Sequence, residues 1–272
     1  MNLSIKEQNR LKNKYGNWAL VTGATSGIGL ELTKQLATAG FNIIINARNE
    51  ASLIQLRNQL ESMYKIKAVV VAADLSTEHG TEMLIDISKN YKVGLFIMCA
   101  GFGSSGLFLN SNIDDEINML RLNCEAVLKL TYYFAKLFAS HKRGGIVLMS
   151  SIVAYQGVPY AAHYAATKAY VQSLAEALAI ELKPNGVDVL TVAPGPVKGN
   201  FETRANMKMS LGMEANQVAV PILKALGRKK DVWPGFLSKL LIGSLSTIPR
   251  WGKIKIMQTI MKGMTQNQTN TN

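Results

Sequence analysis

The sequence predicts an α/β fold: one doubly wound domain with a parallel sheet of six or seven strands, flanked by helices on both faces. Three observations predict it. Short apolar runs rich in β-branched residues recur along the chain, amphipathic segments alternate with them, and a glycine-rich turn follows the first run.

In chain order the strand candidates are "WALVT", "FNIIIN", "AVVVAAD", "GLFIMCA", "GGIVLMSS" and "VDVLTVAPG", with a seventh near Val232–Trp233. They are continuously apolar, as parallel strands buried on both faces must be. Between them, "IGLELTKQLATAG" and "EASLIQLRNQLESMYK" carry the helical period. No internal repeat is visible.

Residues 1–17 form a polar N-terminal extension without the apolar core of a signal peptide, and 18–235 form the domain proper. Within the domain, 199–216 follows a Pro/Gly break and carries Met207, Met209 and Met213, which suits a flexible flap over an apolar site. Residues 236–264 make a basic, apolar C-terminal extension, and 265–272, "TQNQTNTN", read as a disordered tail.

The chain has 272 residues, 48% hydrophobic and 18% charged, which is ample for a core and excludes wholesale disorder. Its net charge of +12 suits acidic partners such as phosphates or anionic lipid, or simply a solvated basic surface. No nucleic-acid-binding motif accompanies the charge, so nucleic acid is not expected. Cys99 and Cys124 lie in apolar surroundings without ligand spacing, which points to reduced structural thiols. No run approaches the roughly 18 apolar residues that cross a bilayer. A cytoplasmic protein is expected. The segment "IPRWGKIKIMQTIMKGM" either folds back over the domain or lies on an anionic membrane surface.

In "LVTGATSGIGLEL", Gly23, Gly27 and Gly29 separate a strand from a helix. Glycines here permit a tight turn and let backbone N–H groups reach a pyrophosphate at the positive end of the helix. The second strand ends at Ala47 and Arg48 rather than at a carboxylate. A carboxylate would bind both ribose hydroxyls of NAD, whereas an arginine grips a 2′-phosphate, so NADP(H) is expected over NAD(H). Asp74, after the third strand, either accepts a hydrogen bond from an adenine amino group or caps the next helix.

The stretch "SSIVAYQGVPYAAHYAATKAY" holds four tyrosines, and only Tyr164 has a lysine, Lys168, four residues later on the same helix face. Lowering a phenol pKa of about 10 by three units takes roughly 4 kcal/mol. An ammonium about 4 Å away, at an effective dielectric near 20, supplies that order of energy. Ser151 ends a strand upstream, where its hydroxyl can hold a carbonyl oxygen beside Tyr164. Asn123, in "LRLNCEAVLKLT", offers an amide that can anchor a water recharging Lys168. His79, His141 and His163 form no ligand cluster, and no metal is expected. His163 reads as structural, since it points away from Tyr164 on a helix.

With "TGATSGIG", "ADL", the asparagine of "LRLN", the paired serines, "YAATK" and "APGPV", residues 18–201 resemble a short-chain dehydrogenase/reductase. The resemblance implies a Rossmann-type fold and hydride transfer between a nicotinamide and a carbonyl or alcohol. It implies that Tyr164 is the general acid/base, Ser151 orients the substrate carbonyl, Lys168 binds the nicotinamide ribose, and Asn123 completes a proton relay. Cofactor contacts are implied for Gly23, Thr25, Ser26, Gly27, Ile28 and Gly29, and for Arg48, Asp74 and Leu75. Further along the chain they are implied for Cys99, Ala100, Gly101, Tyr164 and Lys168, and for Pro194, Gly195 and Val197. Two departures stand out: "MCAG" puts Met98 and Cys99 where the family has amides, and Gly199 stands where it has a threonine. Many members form homodimers or homotetramers through helices corresponding to 112–140 and 160–183, and the same is expected here. The apolar "GFGSSGLFL" and the methionine flap suggest a hydrophobic or lipid-like ketone or aldehyde as substrate. Reduction with NADPH is the leading expectation; a non-catalytic NADP(H) sensor or scaffold and an oxidising alcohol dehydrogenase are the alternatives.

Overall fold

A computed structural model describes residues 2–199, 201, 204, 205, 207 and 212–265. Seven strands form one parallel sheet in the order β3-β2-β1-β4-β5-β6-β7. They are β1 (Trp18–Thr22), β2 (Asn42–Ala47), β3 (Ala68–Ala72), β4 (Val93–Met98), β5 (Gly144–Met149), β6 (Val187–Val192) and β7 (Asp231–Val232). The seventh strand is two residues long and sits on the edge beside β6, in the region the sequence marked for it.

Helices cover both faces, as continuous apolar strands require: every residue of β5 and β6 is buried. On one face lie α4 (Glu78–Ser88), α5 (Ile113–Leu120), α6 (Ala126–Ser140) and α7 (Ala162–Glu181). Phe96 of β4 stacks on Phe134 of α6 with ring centroids 4.4 Å apart, at the centre of that layer. On the other face lie α1 (Ile5–Tyr15), α2 (Gly27–Thr38), α3 (Glu50–Tyr64) and α8 (Asn216–Ala225). Two further helices, α9 (Phe236–Ser246) and α10 (Arg250–Met264), follow β7.

The chain runs outward from β1 to β3, then returns to place β4 on the other side of β1. At this reversal the connections leave in opposite directions and open a crevice at the carboxyl ends of β1 and β4.

The polar N-terminal segment contains a packed helix. Leu11 and Tyr15 of α1 are fully buried, and the Tyr15 hydroxyl donates to Asp188 Oδ2 at 2.8 Å. Lys14 and Lys183 bridge the same carboxylate at 2.7 and 3.0 Å. Arg10 donates to the carbonyls of Leu223 and Leu226 at the end of α8, both at 2.8 Å. Among the described residues of this segment three apolar side chains (Leu3, Leu11 and Tyr15) are buried, so the apolar period is thin and polar contacts add to the attachment. Among the described residues, no helix is long and apolar enough to cross a membrane.

Candidate active site

A cavity of about 840 Å³ occupies the crevice. Every residue given a cofactor or catalytic role above lines it except Asn123, which lies one layer behind. Of "GFGSSGLFL" only Gly101 and Phe102 do, because Leu107, Phe108 and Leu109 turn outward and are exposed, and Met213 does not reach it.

The floor is the glycine turn between β1 and α2. Gly23 and Gly27 adopt φ of +63° and +54°, which L side chains rarely take. A Cβ on Gly29 would strike the Gly23 carbonyl, so this turn closes only on glycine. Thr25, Ser26 and Ile28 line the cavity beside the first turn of α2. The fit to a dinucleotide is direct: a pyrophosphate needs a side-chain-free cradle at a helix N-terminus, and this turn is one.

Thr22, the last residue of β1, fastens that floor. Its Oγ1 accepts from the backbone N–H groups of Cys99 and Ala100, each at 3.0 Å, and its hydroxyl donates to Met98 Sδ at 3.3 Å. Met98 and Cys99, the residues in place of amides, are thus held by a hydroxyl from the neighbouring strand. Burial pushes the Cys99 thiol up to about 12, partly offset by Lys168, so it stays neutral. Nothing in the sequence pattern singled out Thr22. Asn46 was missed as well: its buried amide donates to the carbonyls of Val71 and Ala73 at 3.0 and 3.2 Å, stitching β2 to β3 under the cleft.

At the adenosine end, Arg48, Asp74 and Leu75 line the wall, with Asn49 and Ser52 beside Arg48. Asp74 Oδ1 accepts from the N–H and hydroxyl of Ser76 at 2.9 and 2.8 Å. The cap of α4 is Thr77, whose hydroxyl accepts from Gly80 N at 3.0 Å, so Asp74 holds a turn rather than the helix end.

At the catalytic end, Ser151, Tyr164 and Lys168 converge from β5 and α7. Burial pushes the Tyr164 phenol above its ordinary value, and a hydrogen bond with Ser151 opposes the rise. Lys168 does not lower it as the spacing suggested. Its ammonium lies 5.7 Å from the Tyr164 ring centroid and donates to the Met149 carbonyl at 2.9 Å. Burial pushes Lys168 down to about 8, with Cys124 and Cys99 opposing.

Asn123 sits in a single π-helical turn, Arg121–Glu125, between α5 and α6, a distortion common at functional sites. Its Oδ1 accepts from Phe102 N at 3.2 Å, and its Nδ2 donates to the Phe102 carbonyl at 2.8 Å and to Thr167 Oγ1 at 3.1 Å. A Cβ on Gly101 would lie 3.0 Å from that amide oxygen and 3.4 Å from Lys168 Nζ, so Gly101 separates the two side chains. Beside Tyr164, His163 Nδ1 meets Glu116 Oε2 at 2.6 Å, and Ser104 donates to Glu116 Oε1 at 2.9 Å. This pairing ties the start of α7 to α5.

The turn after β6 brings Pro194, Gly195 and Val197 to the cavity. The buried Ser238 of α9 accepts from Gly195 N at 2.8 Å, and a Cβ on Gly195 would crowd that oxygen. Gly199 has φ of +144° with open space around it. The flap expected over 199–216 is described in part: Phe201 packs on Tyr164 with centroids 5.5 Å apart, and Met207 is buried in the cavity wall. Met213 N donates to the Pro196 carbonyl at 2.9 Å, pinning the far end. Met209 lies outside the described residues, as do 266–272 of the tail.

The C-terminal extension folds back. Met257 and Met261 of α10 are buried, and with Ile260 and Met264 they complete the apolar wall facing Phe102 and Leu122. Sequence reasoning assigned these residues no role at the site, although methionines at 257, 261 and 264 mark one helix face.

Residues 17–210 match the short chain dehydrogenase family model. The chain is 30% identical over 185 residues to a 7beta-hydroxysteroid dehydrogenase of Mediterraneibacter gnavus, an alignment covering 68% of this chain and 70% of that protein. It is 36% identical over 185 residues to a very-long-chain 3-oxoacyl-CoA reductase of Neurospora crassa, covering 66% of this chain but only 56% of the relative. Among solved structures, a short-chain dehydrogenase from Sphingobium yanoikuyae in complex with NADPH superposes with a TM-score of 0.78 at 25% identity. That superposition covers 86% of this chain and 97% of the other. A bulky-bulky ketone specific alcohol dehydrogenase from Comamonas testosteroni gives 0.73 at 28% identity, covering 86% and 95%. With glycine cradle, Tyr164, Lys168 and Ser151 brought to one cleft, the chain belongs to the short-chain dehydrogenase family, oxidoreductases that use a nicotinamide cofactor to interconvert C–OH and C=O groups.

Proposed function

We propose that this protein is an NADPH-dependent reductase of a hydrophobic ketone or aldehyde. The observation that carries the reading is the apolar wall opposite Tyr164 and Ser151, built by Phe102, Phe201, Met207, Met257 and Met261. Such a wall takes a bulky apolar group and leaves two hydroxyls as the polar anchor for its carbonyl.

When bound, the nicotinamide supplies the hydride to the carbonyl carbon. Ser151 holds the carbonyl oxygen, and the Tyr164 hydroxyl donates its proton to that oxygen as charge develops there. A phenol is neutral and carries its proton at physiological pH, and burial raises its proton affinity further while the hydrogen bond with Ser151 opposes that rise. Lys168, held by Met149, presents its ammonium beside Gly101 to the ribose side of the cleft. Asn123 holds the Phe102 backbone that frames this end and positions the loop between Tyr164 and Lys168.

Preference for NADP(H) over NAD(H) rests on Arg48 at the end of β2 and on the absence of a carboxylate from the wall beside it before Asp74. The relatives named for hydroxysteroid, 3-oxoacyl-CoA and bulky ketone substrates share large apolar groups, which supports the substrate class. A homodimer or homotetramer is part of the reading: Ile113, Ile117, Leu120, Leu128 and Tyr132 expose apolar surface on α5 and α6. A cytoplasmic setting accords with the unpaired thiols of Cys99 and Cys124.

The test is cofactor oxidation by the purified protein with short and long ketones, hydroxysteroid ketones, 3-oxoacyl thioesters and aldehydes, comparing NADPH with NADH. Turnover confined to apolar ketones and lost in Tyr164→Phe is the expected result. Wild-type protein that binds NADPH and turns over nothing would favour the sensor.

A further inference from the structure

Glu116 is a carboxylate on α5 that is only 5% exposed and has no part in the reaction described above. Burying such a group is costly unless hydrogen bonds replace its lost water. Here each oxygen has a partner: Oε1 accepts from Ser104 Oγ at 2.9 Å, and Oε2 meets His163 Nδ1 at 2.6 Å.

The two partners come from different segments, Ser104 from the loop after β4 and His163 from the first turn of α7. Each is the chain neighbour of a residue in one contact. Ser104 follows Gly103, His163 precedes Tyr164, and Gly103 packs on the Tyr164 ring. A Cβ on Gly103 would lie 3.0 Å from Tyr164 Cδ2 and 3.2 Å from Cγ, so bare backbone forms one wall of the slot that holds the phenol.

Two further ties fix the same wall. Asn123 holds both backbone groups of Phe102, the residue before Gly103, at 3.2 and 2.8 Å. Gly106 N donates to the Tyr160 carbonyl at 2.8 Å. Tyr160 takes φ of +65°, a left-handed conformation that a tyrosine keeps only where its surroundings hold it. Among these ties, Glu116 is the one that joins the neighbours of Gly103 and Tyr164 directly. A proton donor must sit within hydrogen-bond reach of its acceptor, and a misplacement of about 1 Å costs on the order of a hundredfold in rate.

We propose that Glu116 is a positioning residue for Tyr164: by holding Ser104 and His163 together, it keeps Gly103 against the phenol ring and aims the hydroxyl into the cleft. The inference rests on the reading of Tyr164 as proton donor. It adds a residue that lies outside the cavity wall and outside every motif of the sequence analysis.

The experiment is single-turnover stopped flow with NADPH and the ketone that wild type reduces fastest. It compares wild type, Glu116→Leu, Glu116→Gln, Tyr164→Phe and the Glu116→Leu/Tyr164→Phe double variant. Fluorescence titration with NADPH and circular dichroism serve as controls for binding and folding. Leucine is close to glutamate in size but bonds neither partner, and Ser104 and His163 are half-buried, so both reach water. Glu116→Leu is expected to slow hydride transfer by about tenfold to a hundredfold with NADPH affinity unchanged. Glu116→Gln keeps an acceptor and a donor for the same two partners and should stay within about threefold of wild type. A Glu116→Leu protein with the wild-type rate overturns the proposal, as does a Glu116→Gln protein equally slow.

Should Glu116→Leu fail the folding control, Ser104→Ala cuts the loop arm and leaves the carboxylate on His163. It is expected to lose about threefold to tenfold, and a wild-type rate there overturns the proposal. The double variant separates aiming from general loosening. With no hydroxyl left to aim, Glu116→Leu should add no further loss to Tyr164→Phe. A loss of the same size in both backgrounds overturns the proposal and leaves the proton-donor reading standing. A Tyr164→Phe protein as fast as wild type, or a wild type that reduces no ketone, overturns both.

Discussion

Lys168 Nζ donates to the backbone carbonyl of Met149 at 2.9 Å and lies 5.7 Å from the centre of the Tyr164 ring. The lysine is thus held by the end of β5, at a fixed place between α7 and the cofactor turn. Placing it there costs energy, because a buried ammonium loses its hydration.

That cost predicts a pH-dependent stability. Burial lowers the Lys168 pKa from 10.5 to about 8, so between these values the unfolded chain binds more protons and stability rises with pH. Lys168→Met removes the penalty, which is at most about 3 kcal/mol. The variant is expected to be more stable than wild type at pH 7, with the difference shrinking as pH approaches 10. Urea unfolding of both proteins across that range measures it, and a constant difference contradicts the assignment.

Tyr164→Phe retains the ring against Phe201 and removes only the hydroxyl proposed above as the proton donor. Reductase activity is expected to fall by roughly 10²–10⁴-fold with cofactor affinity nearly unchanged. Stopped-flow turnover and fluorescence titration of the same preparation separate the two quantities.

Thr22→Val deletes the acceptor for the N–H groups of Cys99 and Ala100. Two donors left without partners cost about 1–3 kcal/mol each where buried. A lower Tm and weaker cofactor binding are expected together, and Thr22→Ser restores both because it retains the hydroxyl.

At the far end of the sheet, burial raises the Asp188 carboxyl, but Lys14, Lys183 and the Tyr15 hydroxyl outweigh it and hold the pKa below its ordinary value. A depressed carboxylate stabilises the fold above its unfolded pKa of about 4, and that stability is lost as pH falls through the folded value. Asp188→Asn should destabilise strongly at pH 7 and converge on wild type in acid. Paired acid-unfolding curves that stay parallel would refute this.

Met261→Ala opens the apolar wall contributed by α10. KM for bulky apolar ketones is expected to rise by about 5- to 30-fold, about 1–2 kcal/mol of lost contact, while small ketones are spared. A chain-length series of substrates reads the difference.

The sequence by itself determined the sheet, the glycine turn and the helix that carries Tyr164 and Lys168. Their signals are local: apolar runs such as "GGIVLMSS", glycines at fixed spacing, and a Tyr–Lys pair one helical turn apart are each complete within a few residues. Only the tertiary structure decided how distant segments complete the site. Thr22 reaches the turn after β4 because β1 and β4 are neighbours in the sheet. Asn123 faces Phe102 because one π-turn rotates it inward, and nothing in "LRLN" announces that rotation. The polar N-terminal segment became a packed helix, and the basic C-terminal one became a methionine wall. In both, a few apolar side chains find partners supplied by residues remote in sequence, which no local period can show.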